Sequence, residues 1–289
     1  MFWQTSRYRI DLGSPRVMGI VNITPDSFTD GGQYLDASAA LGRCEQLLSQ
    51  GADLLDLGAE STRPGAQPLS AQEELSRLLP VLQGALQLGV PVSVDTYKPE
   101  VMQVALDMGA DIINDIWALR WLDPEPSTAA ISGLAVVAAH PNCGVCLMHM
   151  HREPQTMHVS PMEGEVLAQV LSFLSQRALA LTQRGVAKAR IVLDPGIGFG
   201  KTAEQNFSLL AQQQALLNEG YPLLAGWSRK RSLASSLDLP PAAGTNMPHP
   251  RMVASVAAAL LAVERGAAIV RVHDVRETVQ ALKVLSAIK

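Results

Sequence analysis

Eight apolar runs in this chain end on a residue able to do chemistry: Asn22, Asp56, Asp95, Asn114, His149, Asp194, Ser228 and His273. A single Asp or Asn at such a point is as readily a helix N-cap. Eight together resist that explanation, because Asp95 in VSVDT and Asn114 in IINDI precede their helices by several residues. A carboxylate inside an apolar run needs a partner, and a ligand edge rich in N–H donors would supply one. Asp194 lies in LDPGIGFGK, whose Gly-X-Gly-X-Gly turn is expected to bring backbone close to whatever Asp194 binds. The segment GWSRKRS offers Arg229, Lys230 and Arg231. Arg231 reads as a solvated basic turn, and Lys230, beside the end of a run, as a ligand contact. Arg271 and His273 in VRVHD are two apart and so share a strand face. An Arg–His pair there suits an anionic leaving group such as a phosphate.

One constellation imitates a zinc site: His140, Cys143, Cys146, His149 and His151. Cys146 and His149 are three apart in one expected strand and face opposite ways, and no second CxxC follows. Cys146 is expected in the core. His158 and His249 fall in loop segments and read as bystanders.

The elements that must carry these residues alternate. VMGIVNI, DLLDLG, PVSVDT, DIINDI, GVCLMHM, RIVLDP, PLLAGWS and AIVRVHD are short and nearly continuous in hydrophobicity, as strands buried on both faces are. Helical patterns separate them. Residues 36–50 place Ala40, Leu41, Cys44, Leu47 and Leu48 on one face and stop at Gly51. Residues 70–88 open on a capping box, Ser70 with Glu73. Residues 98–108 carry Pro99 in the first turn and stop at Gly109. Asp274 and Glu277 repeat the box spacing at the last helix. The irregular stretches are 117–127, 150–160 and 238–251. Strand–helix units in this number predict an α/β fold, a single (β/α)8 TIM barrel spanning residues 1–289 with a short N-terminal extension. The polar ends then gather at one face, where such barrels keep their sites. A doubly wound sheet would need GxGxxG after its first strand, where NITPDSFTDGG stands instead.

Composition is consistent with this. The 289 residues are 47% hydrophobic but only 4% aromatic, so the core must be aliphatic. Net charge is −4 with no block of one sign, which argues against a nucleic-acid-binding face. The N-terminus has no signal-peptide pattern, no run approaches the ~18 apolar residues of a membrane span, and three cysteines are no disulfide framework. A reducing cytoplasm is the expected location.

The motifs VMGIVNITPDSFTDGG, DLGAESTRPGA, SVDTYKPEV, GADIINDI, CLMHM, LDPGIGFGK, GWSRK and IVRVHDVRETV, from about residue 16 onward, resemble the dihydropteroate synthase family in order and spacing. The resemblance implies condensation of 6-hydroxymethyl-7,8-dihydropterin pyrophosphate with p-aminobenzoate, giving 7,8-dihydropteroate and pyrophosphate by a largely dissociative displacement. By the same resemblance, Asp95, Asn114, Met148, Asp194, Phe199, Gly226 and Lys230 would bind pterin. Asn22, Thr62, Arg271 and His273 would take the pyrophosphate, with Asn22 on a magnesium ion. Phe28, Thr62, Arg63, Pro64 and Ser228 would lie on the p-aminobenzoate side. Asn22, Arg63, Lys230, Arg271 and His273 would carry the catalysis. The family is the sulfonamide target and forms homodimers, for which the Ala-rich segment 252–265 is one candidate surface; plain barrel packing explains that segment equally well.

The departures are mild: Trp117 after NDI, Arg231 after SRK, Thr29 in TPDSFT and four prolines in 238–250. They bear on loop dynamics and drug sensitivity more than on activity. A pterin methyltransferase working with a corrinoid partner would lack TPDSF and SRK. A non-catalytic pterin-binding relative should have lost loop residues, yet Asn22, Arg63, Lys230 and His273 all stand.

Overall fold

The computed structural model describes residues 1–23, 33–61, 67–122, 131–157, 159–235 and 249–288. A short antiparallel hairpin, β1 (Phe2–Gln4) and β2 (Arg9–Asp11), comes first. Eight parallel strands follow: β3 (Arg16–Asn22), β4 (Leu54–Gly58), β5 (Val92–Asp95), β6 (Ile112–Asp115), β7 (Gly144–Met148), β8 (Ile191–Asp194), β9 (Leu224–Ala225) and β10 (Ile269–Val272). From β3 to β8 each strand pairs with the next in sequence, and β10 lies between β9 and β3. The remaining seam, β8 to β9, is closed by a bridge between Leu193 and Leu223 and by the Leu193 N–H donating to the Pro222 carbonyl at 3.0 Å. The barrel is the expected one.

The continuous hydrophobicity of the runs has a specific origin. Successive side chains alternate between the barrel interior and the helical layer. Leu55, Leu57, Val92, Val94, Ile113, Val145, Leu147, Ile191 and Leu193 face outward into one large core shared with the helices. The alternate positions face inward and form two tiers. The lower is apolar: Met18, Leu54, Ile112, Cys146, Val192, Leu224 and Ile269 pack with Trp3 and Leu12. One pleat higher on four of these strands stand Asp56, Asn114, Asp194 and Arg271, and β5 presents Asp95 above Ser93. Cys146 is thus a core residue, as expected.

The N-terminal extension is the barrel's floor. Trp3 is fully buried, and its indole N–H donates to the Arg190 carbonyl at 2.9 Å. Arg7 forks onto buried Asp111 at 2.6 and 3.1 Å, and Asp111 also accepts the Val92 N–H at 2.9 Å.

The helices start and stop for local reasons. At α2 (Ala71–Ala85) the Ser70 capping box forms in both directions. At α3 (Pro99–Met108) Pro99 occupies the first turn and Gly109 ends it at φ 113°. The first helix, α1 (Gln33–Ser49), begins earlier than the apolar stripe suggests. The second box does not form at α10 (Val275–Ala287): Asp274 makes no side-chain cap bond. Its carboxylate is taken by Arg229 instead. The run 222–228 yields only a two-residue strand, because it lies at the seam and turns away after Ala225.

Candidate active site

The mouth of the barrel is organised around one guanidinium. Arg271, on β10, donates through Nε to Asp56 at 2.5 Å and through Nη2 to Asp95 at 2.5 Å. Asn114 donates to the same Asp56 oxygen at 3.1 Å. Register explains the convergence: Asp95 and Asn114 are partners on β5 and β6, and Asp56 lies on β4 one pleat lower. Asp56 is fully buried. Burial, the repulsion of Asp56 and other carboxylates nearby push Asp95 well above the ordinary carboxylate range, against the pull of Arg271. Burial opposes the charge of Arg271, but Asp56 and Asp95 hold it above its usual value. The partner expected from a ligand for these carboxylates is therefore supplied by the chain itself. Arg271 joins the cluster of Asp56, Asp95 and Asn114, and His273 finds different partners.

Across the mouth stands Asp194, at the end of β8. It is buried, and its Oδ1 accepts the Gly196 N–H at 2.7 Å. Burial raises its carboxyl; the Gly196 bond and the charges of Lys230, Arg271 and Lys201 work the other way. Lys230 places Nζ 4.2 Å above the Phe199 ring. Burial lowers it to about 8. Ile116, Met148, Met150 and Met157, with Tyr97, Trp117 and Phe199 packed against them, make an apolar wall. Gly226 leaves room beside Asp194, where a Cβ would stand 3.8 Å from Oδ2. A buried carboxylate, an amide, an ammonium and a flat apolar wall suit a planar heterocycle with a polar rim.

The glycine turn is seated on a neighbouring segment of the chain. Gly196, Gly198 and Gly200 all have left-handed φ, 69°, 81° and 71°. A Cβ on Gly196 would lie 1.8 Å from the His149 carbonyl oxygen, and one on Gly200 2.6 Å from the His151 Cβ. The turn is pressed against the chain leaving β7. Buried Lys201 fastens it, donating to the carbonyls of Gly196 at 2.9 Å and Phe199 at 3.2 Å and meeting His149 Nδ1 at 2.9 Å. Burial lowers Lys201 to about 7. Burial, then the charge of Lys201, lowers His149 to about 2, so its ring is neutral and Nδ1 accepts. The residue types alone do not expose Lys201: it stands inside the quoted motif, and only its burial distinguishes it from a surface lysine.

A third group lies at the β9 and β10 ends. Ser228 Oγ is 2.9 Å from His273 Nδ1 and accepts the His273 N–H at 3.1 Å. Arg229 forks onto Asp274 at 2.6 and 3.2 Å. Asn22 ends β3, half-buried and in register with Gly58, the neighbour of Asp95. Of the other positions singled out in the sequence, Phe28, Thr62, Arg63 and Pro64 lie outside the described residues, as do His158 and most of the 238–250 segment.

Comparison with known proteins bears on the whole arrangement. A family model described as pterin binding enzyme matches residues 18–273. The dihydropteroate synthase of Neisseria meningitidis serogroup C is 46% identical, covering 99% of this chain and 97% of that protein. A Xanthomonas albilineans dihydropteroate synthase solved with 4-aminobenzoic acid superposes with a TM-score of 0.86 at 43% identity, over 100% of this chain and 98% of that one. A Burkholderia cenocepacia dihydropteroate synthase complexed with 7,8-dihydropteroate does so with a TM-score of 0.83 at 46% identity, over 99% and 96%.

Proposed function

The chain belongs to the dihydropteroate synthase family, a transferase of folate biosynthesis that joins 6-hydroxymethyl-7,8-dihydropterin pyrophosphate to p-aminobenzoate, and from that premise we propose how its residues divide the work. Asp194 accepts the amino and ring N–H groups of the pterin. Asp95 and Asn114 cover the rest of the polar edge. Lys230 faces the ring's acceptors, Met148 and Phe199 its faces, and Gly226 leaves the space it needs. Thr62, Arg271 and His273, with Asn22, hold the pyrophosphate. Phe28, Thr62, Arg63, Pro64 and Ser228 hold p-aminobenzoate. Asn22, Arg63, Lys230, Arg271 and His273 act on the reacting atoms.

The methylene C–O bond breaks and its electron pair leaves with pyrophosphate. Arg271 and His273 meet that charge as it grows, which lowers the barrier more than it tightens binding. The pterin delocalises the cation left behind, so the step is largely dissociative. The amine lone pair then forms the C–N bond and the nitrogen releases a proton. No enzyme base is required for so weakly basic an amine.

Magnesium fits this donor set. Among the described residues no group of three or more His, Cys, Asp or Glu side chains could gather a cation, and Asn22 offers one neutral amide oxygen. A magnesium ion held chiefly by substrate phosphates and water would take that oxygen as its protein ligand. Bound there, it would offset charge on the leaving group. We also assign the whole chain to one pterin-binding domain, acting as a homodimer in the cytoplasm, with small-molecule substrates and neither nucleic acid nor membrane as partner. No described helix is long and apolar enough to cross a membrane.

The observation that carries this division is the position of Arg271 between Asp56 and Asp95, at the boundary of the pterin-edge groups and the β10 end. Pyrophosphate release should require both substrates together. Release from the pterin pyrophosphate alone would mean uncoupled hydrolysis, and no release would leave a pterin-binding protein without the transfer activity.

A further inference from the structure

Arg229 is a non-glycine residue in the left-handed region, at φ 58°. Residues held there persist only where the surroundings over-determine them, and here the backbone of Arg229 is held from the segment 251–255 and its guanidinium by Asp274. Its N–H donates to the Ser255 hydroxyl of α9 (Met252–Glu264) at 2.8 Å. Its carbonyl accepts from Arg251 Nη1, just before α9, at 3.0 Å. Its guanidinium forks onto both oxygens of Asp274, the residue after His273. Arg43 of α1 adds a bond to the His273 carbonyl at 2.8 Å.

What Arg229 separates gives the strain a purpose. Ser228 before it meets His273, and Lys230 after it covers Phe199. The left-handed turn lets both flanking side chains face the mouth while the intervening one reaches sideways to β10. We propose that Arg229 is a positioning residue: with Asp274 it locks the ends of β9 and β10 into one unit, so that Lys230 on the pterin and His273 on the leaving group keep a fixed relation. This rests on the transfer reaction assigned above.

Arg229→Gly separates positioning from folding, because glycine adopts this backbone freely and loses only the side-chain tether. Its unfolding midpoint should stay within about 2 °C of the parent. Its kcat should fall about tenfold or more, since small misplacements of reacting groups are costly, with KM for p-aminobenzoate changed less than about twofold. Asp274→Asn should give a similar loss, and the double variant should be no worse than either alone. Arg229→Lys, with one ammonium in place of a fork, should fall between. A wild-type kcat in Arg229→Gly overturns the proposal, as do losses that multiply in the double variant. Amide exchange provides a readout independent of turnover. The peptide spanning residues 226–233 should exchange faster in Arg229→Gly while that of α9 does not. Unchanged exchange overturns the tether even if the parent transfers nothing, whereas a parent without transfer but with the exchange difference overturns only the assigned reaction.

Discussion

Lys230 sits at about 8 because burial disfavours its charge more than Asp194 and Asp95 restore it. The protonated form donates the stronger, charge-assisted hydrogen bond to a ring acceptor, so kcat/KM should fall as pH rises through about 8. On the acid side the raised carboxyls of Asp95 and Asp194 lose their acceptor form at a pH above the usual carboxylate range. The expected profile is a narrow bell. Lys230→Arg, charged at every working pH, should remove the alkaline limb even if the rate is low; a limb that stays belongs to another group. Stability runs the other way. The unfolded chain keeps the Lys230 proton up to its ordinary 10.5 and the folded one releases it near 8, so folding gains with pH across that window. Lys230→Met should therefore raise the unfolding midpoint at pH 7, with the gain fading toward pH 10.5. These shifts were not legible in the sequence, which shows residue type but not the depth at which a side chain is held.

At the scale of elements, strand and helix order was legible because each inward position is followed by an outward one, and the eight runs record both cores at once. The polar ends were legible for the same reason, since Asp56, Asp95, Asn114 and Asp194 each break an apolar run near its C-terminal end. What was not legible is which groups answer each other across the barrel. Arg271 reaches Asp56 across 215 positions of chain, and no local pattern encodes that. The seat of the glycine turn was not legible for a related reason: its spacing gives the backbone freedom but not the surface it must fit. Gly196→Ala tests the fit, because its Cβ would penetrate the His149 carbonyl at 1.8 Å. It should cost on the order of 3 kcal/mol or more in denaturant unfolding, through displaced backbone and left-handed strain. A loss below about 0.5 kcal/mol would mean that the turn is not seated as described. The segment after β6 is a similar case: Asp115, pushed to about 7 by burial, accepts the Trp117 and Leu119 N–H groups at 2.7 and 2.6 Å and so supports left-handed Ala118 and Leu119.

For the whole molecule, the interior divides into an apolar floor and a polar mouth on the same strands. The floor depends on the first dozen residues, which composition marks only as a short extension. Trp3 is completely enclosed there. Trp3→Ala should cost about 3–5 kcal/mol of stability, the range for removing a buried large aromatic. It should leave kcat per folded molecule near the parent value, because the Trp3 indole packs in the apolar floor tier, below the polar residues of the mouth. A proportionate fall in kcat of the folded fraction would show that floor and mouth are coupled.

The seating of the glycine turn also bears on how the protein could escape an inhibitor. A compound resting on residues 194–200 meets a surface where Gly196 and Gly200 cannot gain a side chain without striking His149 or His151. Asp194 cannot be exchanged without losing the pterin contacts proposed for it. Selection by such a drug would find few single substitutions there that keep the molecule both folded and active, and resistance would have to arise elsewhere on the barrel.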